Sequence, residues 1–119
     1  MIIPCPVDGF TEQTADNKPV YFLDVPDEWL GKHLSVRDTA VTGLANGEAA
    51  GMPIEFKTFA ISLALADNWN LPGVTGKMES VDFNMLNLSI MAWVNYTVWG
   101  SFNRCFNVPK NSSPPLPNG

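Results

Sequence analysis

The sequence predicts a mainly α fold, a small bundle of about three helices with an extended N-terminal segment and an extended C-terminal tail. Residues 26–45 and 53–68 each open on a proline followed by acidic residues, which is the start signal of a helix. The second of these contains FAISLALA, in which only Ser62 is polar, so that helix should be buried on most sides. A third apolar segment, LNLSIMAWVNYTVWG, is long enough for roughly four helical turns.

Each element follows from local chemistry. Residues 1–20 hold three prolines and a glycine among scattered polar residues, with no helical period, so they should run extended. Val20-Tyr21-Phe22-Leu23 reads as one short strand or as an extended lead-in. In the first helix, 26–45, Pro26 lacks an N–H where none would have a partner, and Asp27 and Glu28 face the positive end of the helix dipole. Glu28 and Lys32 add an i,i+4 ion pair. Trp29, Leu30, Leu34, Val41 and Leu44 form the stripe expected to pack, and Asn46-Gly47 should end the helix.

Pro53 and Glu55 open the second helix, 53–68, which should lie between the other two. It should stop near Trp69, because Pro72 disfavours helical geometry at Leu71 and Gly73 invites a turn. The connection 70–80 is long for a link between helices. Asp82 is the expected N-cap of a third helix, 83–99, closed by Gly100. Leu88, Ile90, Ala92, Val94, Tyr96 and Val98 also alternate, so a strand reading of this segment stays open. Residues 107–119, rich in Pro, Ser and Asn, should form a flexible tail to a single helical domain, 1–106.

Composition narrows the function. Apolar residues make up 45% of the 119, enough for a core, and the net charge of −5 argues against nucleic acid or an anionic membrane as partner. No apolar run approaches the roughly 18 residues that span a bilayer. The start, MIIPCPVDGF, has no basic stretch ahead of an apolar one, so it does not read as a signal peptide and a cytoplasmic location is expected. There, Cys5 and Cys105 should more often stay reduced than pair.

Residues that carry enzyme chemistry are sparse. The one histidine, His33, has Asp38 within reach on the same helix, but no serine stands in a nucleophile elbow and neither cysteine lies in a catalytic motif. A zinc site needs more than one His and two distant Cys, and the carboxylates are dispersed. Asp67, Glu79 and Asp82 bracket the long connection, yet an acid–base pair also needs an apolar setting for one member. No glycine loop suits a phosphate. The expectation is a protein with no catalytic residue, no cofactor and no metal.

The tryptophans read first as core anchors. The alternative is that some line a groove for a partner helix, where Trp often dominates affinity. Trp29, Trp69, Asn70, Leu71 and Trp99 form the candidate partner-binding set, and Trp69 is foremost because it stands at a helix end. The surrounding DNWNLPGVTG is read mainly as a structural joint and secondarily as a contact surface.

The order VPDEWLGKHLSVRD, FAISLALADNWNLPG, a Trp-bearing apolar helix and CFNVPKNSSPPLP resembles the small tail assembly chaperones of long-tailed bacteriophages. The similarity runs from Val25 to Pro117, and Asp67-Asn68-Trp69-Asn70-Leu71-Pro72-Gly73 and Val108-Pro109-Lys110 carry most of it. The resemblance implies a helical, non-enzymatic helper that binds the tape measure protein and recruits tail tube protein in the host cytoplasm. It would be absent from the mature virion, and its self-association is left open. A structural virion protein of the tail or head–tail connector is the alternative.

Overall fold

A computed structural model describes residues 1–74 and 83–106. The chain begins in strand β1 (Ile2–Pro4), passes a loop, and returns as β2 (Phe22–Asp24). Helix α1 (Gly31–Leu44) and a short 3-10 turn (Gly47–Gly51) lead to helix α2 (Ile54–Leu65). Strand β3 (Asn68–Asn70) follows directly. After a 3-10 turn (Phe83–Met85) come α3 (Leu88–Val94), a π turn (Asn95–Trp99) and α4 (Gly100–Arg104), which run on as one rod through right-handed helical backbone at both joints.

The fold is therefore α+β, and the mainly α expectation is overturned. The three strands form an antiparallel sheet in the order β1-β2-β3. Its central register aligns Ile3 with Leu23 and Leu23 with Trp69. Leu23 is fully buried, and Ile3 and Trp69 pack half-buried against the same core. Alternate residues point to the other face. Pro4 is tolerated because β1 is an edge strand, where a missing N–H breaks no second ladder.

Strand β3 is the element that the sequence conceals. Asn-Trp-Asn is a poor strand by propensity, and the preceding run is helical. The central strand nonetheless needs partners for its second edge. Ala66 leaves the helix in an extended conformation, and the Asp67 N–H donates to the Asp24 carbonyl at 2.8 Å. Asn70 adds a side-chain bond from Nδ2 to the Val20 carbonyl, also 2.8 Å. Asn68 thus belongs to the sheet and not to the end of a helix that reaches 68.

Helix α2 holds the centre, with α1 against one side and the last helix against the other. Phe56, Phe59, Ala60, Ile61, Leu63 and Leu65 are buried along it. Ser62, also buried, donates its hydroxyl to the Thr58 carbonyl at 2.8 Å, which removes the cost of burying it.

The ends of the other helices differ from expectation for identifiable reasons. The first helix begins at Gly31 and not at Pro26, because Val25 and Pro26 are buried in extended chain and Trp29 is tied across the molecule. Asp27 and Glu28 consequently precede the helix. The N-cap of α3 is Asn87, whose Oδ1 accepts from the N–H groups of Ser89 and Ile90 at 2.9 and 3.1 Å. The expected cap, Asp82, lies outside the described residues, as do most of the connection 70–80 and the whole of the tail 107–119. Gly100 does not stop the helix. It sits in helical backbone at φ −62°, since continuing the rod buries Phe102, a gain exceeding the roughly 1 kcal/mol that Gly costs in a helix.

Candidate functional site

The starting turn of α1 explains how the site is set. The His33 N–H donates to the Leu30 carbonyl, and the Leu30 N–H donates back to His33 Nδ1, both at 2.9 Å. The buried imidazole thus satisfies a backbone donor at the head of the helix, the work a capping-box side chain does elsewhere. Its ring meets the edge of Trp29, with centroids 4.9 Å apart. The Trp29 indole N–H in turn reaches Ser101 Oγ at 3.2 Å, pinning the head of α1 to α4. His33 is thereby a structural residue, and its Nδ1 is engaged with Leu30 and not with Asp38.

Trp29, Trp99 and Phe106 all surround Phe102, with ring centroids 5.4, 5.9 and 5.4 Å from it. The Arg37 guanidinium lies over the same ring at 5.7 Å. This cluster joins α1 to the last helix without closing the space between them. Two shallow pockets remain along the seam. One, about 180 Å³, is bounded by Leu30, Leu34, Phe102, Cys105 and Phe106. The other, about 320 Å³, is bounded by Val41, Leu44, Ile54, Ile61 and Trp99.

The apolar side chains on this seam are exposed. Leu30, Leu34 and Val41 show 48, 36 and 46% of their surface, Ile54 shows 69% and Phe106 55%. The expectation that Leu30, Leu34 and Val41 form the packed stripe of the first helix is therefore corrected. The face that meets the core carries His33, Val36, Ala40 and Leu44. A histidine and an alanine disguise that face in the sequence, while larger apolar residues mark the one left open. The signal was present: two helical stripes occur on α1, and only one can face α2.

The candidate residues separate into two groups. Trp29 and Trp99 come together around Phe102, half-buried, as walls of the seam. Trp69, Asn70 and Leu71 lie in and after β3: Trp69 is half-buried on the core side, Asn70 is exposed and Leu71 is buried. Leu71 and Val74 pair across Pro72-Gly73, where Gly73 takes φ 74° as the third position of a type II turn requires. The sequence did not single out Leu30, Leu34, Val41, Ile54 or Phe106 as contact residues.

Other chemistry is limited among the described residues. No three His, Cys, Asp or Glu side chains gather as a metal would require, and no helix is long and apolar enough to cross a membrane. Cys5 is a buried free thiol and Cys105 an exposed one. The Met1 ammonium contacts Asp24 Oδ1 at 3.0 Å, the Val25 carbonyl at 2.7 Å and Asp27 Oδ1 at 3.2 Å. Its pKa is raised above the usual 8.0, chiefly by the hydrogen bond to Asp24. Set against known proteins, the chain matches no family model, no curated protein and no solved structure.

Proposed function

We propose that the protein is a non-enzymatic assembly chaperone of a bacteriophage tail, which holds an amphipathic helix of the tape measure protein and brings tail tube subunits to it. The observation that carries this reading is the open seam beside α1, where Leu30, Leu34, Val41, Ile54 and Phe106 stay exposed between aromatic walls. A helix with a continuous apolar stripe fits such a seam, because Leu30, Leu34 and Val41 stand at i, i+4 and i+11 along α1 itself. The sequence resemblance supplies the identity of the partner. Trp29 and Trp99 then act as anchors of the wall, whereas Trp69 supports the sheet.

Binding of purified protein to helical fragments of a tape measure protein tests the proposal. Leu34→Glu and Val41→Glu should abolish binding with little change in melting temperature, since both side chains are exposed. Unaltered binding by both variants would overturn the seam as the site. Mass spectrometry of purified particles tests the chaperone role: the protein should be missing from them, and many copies would favour a structural component of the virion.

A further inference from the structure

The middle of α1 reads Leu34-Ser35-Val36-Arg37-Asp38-Thr39-Ala40-Val41. Leu34, Arg37, Asp38 and Val41 occupy i, i+3, i+4 and i+7, so they share one face of the helix. That face has an uncommon symmetry. Leu34 stands three residues before Arg37, and Val41 stands three residues after Asp38. Turned end for end, the quartet apolar–cation–anion–apolar becomes apolar–anion–cation–apolar. It is complementary to itself in both hydrophobicity and charge. The symmetry continues outward, because Leu30 stands four residues before Leu34 and Ala45 four residues after Val41, and both are exposed.

We propose that two copies of this chain pair through α1 about a two-fold axis, with the helices antiparallel, and that this pairing occupies the seam until a partner helix takes its place. Leu34 of each copy covers Val41 of the other, and Leu30 covers Ala45. Arg37 of each copy lies beside Asp38 of the other. Asp38 leaves 69% of its side chain exposed; Arg37, 31% exposed, bonds Asp38 of its own helix through Nε at 3.0 Å and lies over Phe102, and the pairing adds the partner's Asp38 to these contacts. A two-fold contact demands such a self-complementary patch, since each residue meets the mate of its own partner. An unrelated helix would not require the charges of α1 to be mirror-paired. The pairing deepens the proposed function by masking the same seam, but it rests on the quartet and not on the partner's identity.

Sedimentation velocity of the full chain tests this. The expected result is a concentration-dependent monomer–dimer equilibrium. A strict monomer at about 0.5 mM, where even a weak contact is populated, would overturn it. Val41→Glu should weaken the dimer by at least about tenfold while the melting temperature holds. Arg37→Asp should also weaken it, since it sets two carboxylates side by side, and Arg37→Asp with Asp38→Arg should restore it, with circular dichroism confirming the fold. A dimer indifferent to both Val41→Glu and Arg37→Asp uses another surface and would sink the pairing. Failure to bind a tape measure fragment while dimerisation follows this pattern would overturn the proposed function alone.

Discussion

Trp69 shows how one side chain can belong to two elements. Its backbone completes the sheet, and its ring packs half-buried against the core. The sequence placed it at a helix end and read it as a joint. The packing role stands, with the sheet in place of the helix. Truncation should therefore cost folding stability. Trp69→Ala is expected to lose about 2–3 kcal/mol, somewhat below the roughly 3–5 kcal/mol for a fully buried aromatic, because Trp69 is only half-buried. Urea denaturation measures this directly, and unchanged stability with lost partner binding would assign Trp69 to a contact surface. Asn70, beside it, binds the Val20 carbonyl through its side chain and so helps to hold the edge strand.

At the level of elements, Gly100 separates two accounts of the last helix. A stop glycine in left-handed conformation would resist replacement by Ala. Here the backbone is right-handed helical, and the nearest obstacle to a new Cβ is the Arg104 guanidinium at 3.3 Å, the far end of a flexible chain. Gly100→Ala should thus raise stability by up to about 1 kcal/mol, read as an increase in melting temperature. The central helix makes the opposite prediction. Leu63→Asp places an unpaired charge against Phe59 and its neighbours and should unfold the domain or cost at least 4 kcal/mol or so. A soluble variant of native stability would remove α2 from the centre. The position of α2 was legible in the sequence, because FAISLALA has too few polar residues for any exposed setting. The end of α1 near Asn46-Gly47 and the turn at Pro72-Gly73 were also legible, as local backbone chemistry governs both. The sheet was not. Each strand is three residues long, too short for alternation to register, and β3 exists only because β2 has a second edge to satisfy. The seam was half legible: Trp29 and Trp99 were named, but the exposure of Leu34 and Val41 depends on which stripe of α1 meets α2.

Over the whole molecule, the end of the sheet where β1 starts and β2 stops is fastened by charge as well as by backbone. The Met1 ammonium joins β1 to Asp24 of β2 and to Asp27 beyond it. Its folded pKa lies above the unfolded value of 8.0. The stabilisation is hence complete below about pH 8 and is lost as pH rises through the folded pKa. Melting temperatures recorded from pH 7 to 10 should fall more for the free amino terminus than for an acetylated one. Parallel curves for the two forms would show that the ammonium contributes nothing. The ammonium is exposed, so raised salt should narrow the difference.

The π turn within the last helix also decides where the chain can change in length. The Gly100 N–H reaches back five residues to the Asn95 carbonyl, so this turn carries one residue more than an α turn. Loss of a single codon here, such as that for Thr97, would let the turn close as α while everything after it keeps nearly its place around the axis, because the π turn holds its extra residue within one turn. Phe102 would then stay beside Trp29, Arg37 and Trp99, whereas the same loss at Ala92, within α3, would turn it away by about 100°. Length changes are harmless by comparison in the turn Gly47–Gly51, where nothing is buried. The stretch from Asn95 to Trp99 is therefore the part of the last helix that can lose one residue and keep its register, which the α-helical parts on either side cannot.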